Sequence, residues 1–194
     1  MSFSHISSGK LIEYLDNGRF ICGYVTESQP KRVRLLNQNG RELNLPVSRI
    51  VHCSQTSPPT GSDRESLIRL LQHTTEKRHL LMQEIDLEML WELACSEATD
   101  TFDPHFLTEL MFGRAADDDS VSAFLRSVFK DKLFFKYREG KIQVHSPEKV
   151  EQLRNQLEKE ADKKTIIVNG GALLQRINRL EQEAAPFTDQ EEQV

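Results

Sequence analysis

The sequence predicts an α+β protein in which a small β-rich domain precedes a helical region. Three observations lead to this fold class. The first fifty or so residues alternate between polar and apolar side chains in short runs separated by turn residues. From there to about residue 130, apolar residues recur at helical spacing. A second strand–turn–strand pattern follows, after which helical spacing returns for most of the remaining chain.

The first domain is predicted to span residues 1–54. Its strands are expected at residues 9–15, 19–26, 32–36, 41–45 and 50–53. Asp16-Asn17-Gly18 and Asn37-Gln38-Asn39-Gly40 separate two pairs of strands, and turns of this composition favour hairpins. Residues 46–50 resemble one helical turn before the last strand. Five short strands with such a turn predict a small SH3-like β-barrel, although an OB-type barrel also fits.

The helical region predicts a winged helix. Asp86, Asp103 and the acids at 117–119 are placed to cap three helices, and Gly113 is placed to end the second. Residues 133–137 and 141–145 then alternate around Arg138-Glu139-Gly140, which indicates a hairpin. Three helices followed by a hairpin are typical of winged helices, which bind nucleic acid or protein.

The remaining segments complete the predicted domain organisation. A polar segment with Pro-Pro and Gly at residues 55–63 is predicted to be a linker. One further helix and the winged helix fill residues 64–146. Helices are expected over residues 147–183, interrupted at Gly170-Gly171, and an acidic tail at 184–194 is expected to be disordered.

Several functional classes find no support in the sequence. The chain has no apolar run long enough to cross a bilayer and no secretory signal at its start, so we expect a cytoplasmic protein without a membrane partner. It also lacks a nucleotide-binding glycine loop and a nucleophile motif. The chain by itself is therefore not expected to be an enzyme.

Metal sites are not expected either. Cys22, Cys53 and Cys95 are scattered, with no C-x-x-C pair. His52-Cys53 are neighbours on a predicted strand and would point to opposite faces, so we interpret them as an edge His and a buried thiol. The acids at 117–119 are interpreted as helix caps that also favour the helix dipole.

The predicted third helix and wing are basic in an acidic chain. The whole chain has a formal net charge of −5, whereas residues 120–145 contain six Lys or Arg and only two acids. Such cations can meet phosphates, and an aromatic side chain beside them can stack on an unpaired base. The candidate RNA contacts are Lys31, Arg32 and Arg34 on the barrel, and Arg126, Lys130, Lys132, Lys136, Tyr137, Arg138 and Lys141 on the helix and wing.

Two strings near the start, Gly9–Tyr14 and Arg19–Val25, resemble the opening barrel of RNB-domain exoribonucleases, the ribonuclease II and ribonuclease R class. The likeness covers about residues 9–160 and continues, in order, through residues 85–93, 106–113, 134–140 and 150–153. This family consists of hydrolases that degrade RNA processively from the 3′ end, with divalent metal held by aspartates of the RNB domain.

The resemblance implies an N-terminal region without the catalytic domain. The RNB domain begins with a motif like D-P-x-x-A-x-D-x-D-D, whereas Asp103-Pro104 here is followed by His-Phe-Leu. No catalytic residue is therefore carried over. We expect no cofactor in this chain, and Mg²⁺ only in the catalytic domain of the parent protein.

The leading hypothesis is a non-catalytic accessory region that guides single-stranded RNA to a nuclease channel. Its expected partners are single-stranded RNA and the catalytic domain of the parent protein. One alternative is a protein-interaction module, in which the long C-terminal helix docks on the nuclease body. A second is a DNA-binding regulator, which is disfavoured because the third helix has only Arg126 and Lys130 as basic groups.

Overall fold

The computed structural model describes residues 6–58, 63–113 and 115–184. The chain divides into two compact units, Met1–Ser146 and Pro147–Val194. The predicted barrel, linker and winged helix all fall in the first unit, and the finer domain boundaries stay predictions. None of the described helices combines the length and apolarity needed to span a membrane.

The first unit begins with a five-stranded antiparallel sheet. Its strands are Leu11–Asp16 (β1), Arg19–Ser28 (β2), Arg32–Asn37 (β3), Glu42–Pro46 (β4) and Ile50–Cys53 (β5). They are hydrogen-bonded in the order β4-β3-β2-β1-β5. A 3₁₀ turn at Val47–Arg49 leads into β5. The five predicted strands and the turn before the last one are confirmed.

The sheet does not close into the predicted barrel. Strands β4 and β5 lie at opposite edges, and no strand ladder joins them in the described ranges. All five strands nevertheless contribute buried side chains to one core, namely Ile12, Val25, Leu35, Leu45 and Ile50. Register shifts in β1 and β2 mark irregularities of the kind that increase strand twist. The sheet thus curls around its core as an open structure, and the prediction of closure is wrong.

Four helices follow the sheet. They span Arg64–Leu81 (α1), Leu87–Cys95 (α2), Pro104–Phe112 (α3) and Asp118–Asp131 (α4). Each starts at an aspartate whose carboxylate accepts a backbone N–H of the first turn: Asp63, Asp86, Asp103 and Asp117. Gly113 ends α3 with a φ of 62°, in the left-handed region that glycine adopts without strain. The predicted caps are confirmed.

The hairpin of the winged helix follows α4. Thr101–Phe102 (β6), Phe135–Arg138 (β7) and Lys141–Val144 (β8) form a small sheet in the order β6-β8-β7. The hairpin is confirmed, whereas β6 was not predicted because two residues are too few to show an alternating pattern. We call the β7–β8 hairpin and its turn the wing.

The second unit consists of one long helix in its described part. This helix, α5, runs from Pro147 to Ala184 without the predicted interruption at Gly170-Gly171. A glycine costs a helix only about 1 kcal/mol relative to alanine and keeps its backbone N–H, so the pair does not by itself end the helix. Residues 185–194 of the predicted tail lie outside the described residues.

A buried carboxylate connects the curled sheet to two helices. Glu13 of β1 is fully buried and forms ion pairs with Arg78 of α1, at 3.1 Å, and with Arg126 of α4. Ser122 of α4 donates a hydrogen bond to the same carboxylate. Arg78 also pairs with Asp119, with 2.8 Å between Nε and Oδ1. Each buried charge in this cluster therefore has an opposite charge in contact.

The two guanidinium groups keep Glu13 ionised. Burial alone would raise the pKa of Glu13, but the charge of Arg78 and the hydrogen bond and charge of Arg126 hold that pKa below its ordinary value of 4.5. An unfolded chain then binds more protons in acid than the folded one. The stability that this group contributes is present above about pH 4.5 and is lost as the pH falls.

We predict that Glu13→Ala lowers the free energy of unfolding by about 3–5 kcal/mol, because it leaves buried guanidinium groups without their main counter-charge. Glu27→Ala is the control, since Glu27 pairs with Arg34 at the surface, where its side chain is 61% exposed. That change should cost less than about 1 kcal/mol. Urea denaturation followed by circular dichroism measures both, and equal losses would contradict the role given to Glu13.

Candidate nucleic-acid interface

An apolar groove with basic side chains lies where α4 ends and the wing begins. Its volume is about 280 Å³. The residues that line it are Val128, Phe129, Lys132, Phe135, Lys136, Tyr137 and His145. We call it the wing groove. Three of the predicted contacts, Lys132, Lys136 and Tyr137, are brought together here.

Aromatic contacts fix the position of the rings in the wing groove. The Phe129 ring lies 5.3 Å from that of Phe20 and 5.2 Å from that of Tyr137, measured between centroids. The Tyr137 hydroxyl donates to the Val51 carbonyl at 3.3 Å. Phe129 and Tyr137 remain half-buried, so part of each ring is accessible. Sequence reasoning did not include Phe129 among the candidate contacts.

The end of the hairpin is held by two further hydrogen bonds. His145 Nδ1 lies 2.8 Å from the Leu133 carbonyl oxygen, and since a carbonyl only accepts, Nδ1 carries the hydrogen. The Trp91 indole donates to the His145 carbonyl at 2.7 Å. These hydrogen bonds attach α2 and the start of the hairpin to its last strand, and so keep the wing groove in shape.

Two cations that line the wing groove, Lys132 and Lys136, and two others on the same elements, Lys130 and Arg138, are available for an anionic ligand. Lys130, Lys132, Lys136 and Arg138 are exposed, and none forms a salt bridge with another residue in the part of the chain described. Lys132 ends α4 with a φ of 60°, a left-handed conformation that a lysine adopts only with some strain. Strained residues often occur at functional positions.

Two predicted contacts are already engaged by carboxylates. Arg126 is buried, with its guanidinium on Glu13 and 5.6 Å from the centroid of the Phe20 ring. Lys141 Nζ lies 3.1 Å from a carboxylate oxygen of Asp103. A phosphate could reach Arg126 only by breaking the buried network, so Arg126 is a structural residue here.

The predicted contacts on the sheet lie in surroundings of balanced charge. Arg34 bridges Glu27 and Glu42, at 3.4 and 3.3 Å. Arg32 donates to the side chain and the backbone of Asn44. Both arginines and both glutamates line one pocket of about 340 Å³. Lys31 is exposed next to this segment. The surface around these three residues therefore has less excess positive charge than the wing groove.

The acids at the start of α4 act as caps and ion-pair partners. Asp117 accepts the Ser120 N–H, and Asp118 accepts the N–H groups of Gln55 and Thr56 at 2.8 and 3.0 Å. The interpretation of these residues as helix caps is confirmed for Asp117. Among the residues that the structure describes, no three His, Cys, Asp or Glu side chains are grouped so as to hold a metal ion.

A larger cavity of about 570 Å³ lies between β5, the start of α3, α4 and the turn of the wing. His52 lines it and is buried, and its Nε2 atom has no hydrogen-bond partner in the described structure. Cys53 is only half-buried. His52 does lie on an edge strand, as expected, but the expected exposures are wrong. His52 is buried and Cys53 is half-buried because the face of β5 that carries His52 is covered and sits opposite buried Glu13 in the ladder.

Comparison with known proteins supports part of the resemblance. The family described as "Ribonuclease II, winged helix domain" matches residues 73–152, less than half of the chain. The matched residues include α2, α3, α4 and the wing. This match supports a ribonuclease II-like N-terminal region. No curated protein and no solved structure matches the chain.

We predict that Lys132→Gly leaves the free energy of unfolding unchanged or raises it by up to about 1 kcal/mol, because glycine adopts a positive φ without strain. Lys130→Gly is the control, since Lys130 is an exposed residue inside the last turn of α4. There, glycine should cost about 1 kcal/mol. Urea denaturation of both variants tests the contrast, and an equal loss in both would argue against strain at Lys132.

Proposed function

We propose that this chain is the non-catalytic N-terminal accessory region of a ribonuclease II-like, RNB-family 3′-to-5′ exoribonuclease, and that it binds single-stranded RNA and guides it to the catalytic domain. The observation that carries the proposal is the wing groove, where unpaired lysines flank accessible aromatic rings. The match to the ribonuclease II winged helix domain supports the choice of nuclease.

The chemistry of the wing groove suits a single strand. Lys132 and Lys136 can neutralise phosphates, which contributes affinity without regard to sequence. The rings of Phe129 and Tyr137 can stack on unpaired bases, whose faces a duplex keeps covered. Any divalent cation needed for cleavage would belong to the catalytic domain, and we expect the whole protein to act in the cytoplasm.

The burial of α4 weighs against a DNA-binding regulator. Every residue of α4 from Ser120 to Val128 is buried. A recognition helix must instead present its side chains to the edges of base pairs in the major groove. Only the last turn of α4 is exposed, so a duplex could not be read by this helix without unpacking it.

We predict that replacing Lys130, Lys132 and Lys136 together by Gln weakens the binding of a single-stranded RNA of about twenty nucleotides. The log–log dependence of affinity on salt should become shallower by about 0.7 for each phosphate that the variant no longer neutralises. Fluorescence anisotropy at several salt concentrations measures both quantities.

One matched triple variant is the control for this prediction, and a second triple variant is a separate test. Lys159, Lys163 and Lys164 are exposed on α5, and their replacement by Gln removes the same charge while leaving the wing groove intact. The second variant replaces Lys31, Arg32 and Arg34 by Gln and tests whether the sheet contributes to RNA affinity. An unchanged salt slope in the wing variant, or a wild-type preference for duplex DNA over a single strand, would refute the proposed mode of binding.

A second candidate function is docking of a protein partner on α2 and α3. Met89, Leu93, Phe106 and Leu110 are 39–46% exposed, which is high for large apolar side chains. Glu92 and Glu109 are exposed on the same two helices. This composition favours a partner with an apolar surface and basic residues around it. Under this candidate function, the partner is the catalytic domain of the parent nuclease.

We predict that Leu93→Gln together with Phe106→Gln weakens association with that catalytic domain by at least about tenfold, because central apolar contacts dominate interface energetics. Leu80→Gln is the control, since Leu80 is an apolar residue of α1 that is 57% exposed. Isothermal titration calorimetry measures the association, and RNA affinity should not change. If both variants bind like the wild type, α2 and α3 are not the docking surface.

A further inference from the structure

The cavity beside β5 combines apolar walls with a few polar side chains. Most of its surface is apolar, with contributions from Val51, Pro104, Val121 and Leu125. Its volume of about 570 Å³ is within the range of small-molecule sites in proteins. Tyr137 lines both this cavity and the wing groove, so the two spaces are neighbours.

His52 is the polar group that the fold leaves unsatisfied at this cavity. Its side chain is 5% exposed, and Nε2 has no partner among the described residues. Leaving such a buried group without a hydrogen bond costs about 1–3 kcal/mol, so folded proteins rarely do so without a reason. Phe or Leu at this position would avoid that cost. Because Nε2 has almost no accessible surface, a ligand in the cavity removes the cost only when the imidazole turns toward it.

The protonation state of two side chains narrows the class of ligand. Burial, together with the nearby charge of Arg78, lowers the pKa of His52 to about 4. At neutral pH the imidazole is therefore uncharged and offers a hydrogen bond without attracting an anion. Burial would raise the pKa of Asp103, which also lines the cavity, but hydrogen bonds from the His105 N–H and Lys141 hold that pKa below its ordinary value. An ionised carboxylate only accepts, so it favours a ligand with amino hydrogens.

We propose that this cavity binds the base of one unpaired nucleotide, with apolar walls on its faces and His52 and Asp103 at its polar edge. The inference rests on the proposed RNA binding, since the wing groove would hold the adjoining phosphates on the other side of Tyr137. Bases with an exocyclic amino group, such as adenine, are preferred over uracil. The amino group offers Asp103 a hydrogen, whereas the N3–H of uracil lies between two carbonyl oxygens that repel a carboxylate.

Adenosine is the first probe, because a nucleoside has no phosphate and so tests the cavity without the cations of the wing groove. The full chain is titrated with adenosine and with uridine, and binding is followed by chemical-shift changes in NMR spectra. Adenosine should bind more tightly than uridine. His52→Phe should weaken adenosine binding by about tenfold, as expected for the loss of one hydrogen bond, without lowering the melting temperature. His73→Phe places the same ring at an exposed position of α1 and should change neither quantity.

A second cavity variant tests the inference independently in the event that His52→Phe misfolds. His105 is half-buried at the cavity, so His105→Trp should narrow the space and weaken adenosine binding, whereas His73→Trp should not. No adenosine binding by the wild type, or binding that both cavity variants leave unchanged, overturns the inference. If the wild type binds RNA and the cavity variants bind it equally well, the cavity is not part of the RNA site. The proposed role of the wing groove is then unaffected. Adenosine binding without any RNA binding supports the cavity and refutes the proposed function of the groove.

Discussion

The position of the whole winged helix depends on the buried carboxylate of Glu13. This residue lies on β1, yet its counter-charges come from α1 and α4. Because a buried charge without a partner is strongly unfavourable, the sheet and the two helices must keep one relative arrangement. The end of α4 and the wing that follows it carry the wing groove. The ion-pair network thus determines where the basic surface lies, although Glu13, Arg78 and Arg126 are themselves buried.

Local chemistry explains why the elements themselves could be predicted from the sequence. An aspartate before each of the first four helices, and Gly113 after α3, act within one turn of their own position. The turns at Gly18 and Gly40 likewise set their hairpins through neighbouring residues. The errors arose where the signal was weak or non-local. The two residues of β6 are too short for a pattern, Gly170-Gly171 does not end a helix whose neighbours continue it, and closure of a barrel depends on distant strand edges.

The candidate site was harder to predict because the sequence does not show which charges meet. Arg126 appeared equivalent to Lys130 in the sequence, yet its partner is Glu13, 113 residues away. Lys141 pairs with Asp103, and Arg34 with two glutamates, so the count of basic residues overstated the free positive charge. The burial of His52 could not be predicted from the sequence for a similar reason. Nothing in its neighbours along the chain signals burial, which follows from the helices that cover β5.

A small number of free cations fits guidance better than tight retention of RNA. The electrostatic part of RNA affinity grows with the number of phosphates neutralised, and the wing groove offers only a few free cations in a chain with a net charge of −5. Such contacts do not depend on sequence, so a strand can move along them without breaking specific bonds. A base-sized cavity beyond Tyr137 would add a contact that does depend on the base. The groove would then set where the strand lies, and the cavity would set how readily a particular nucleotide leaves it.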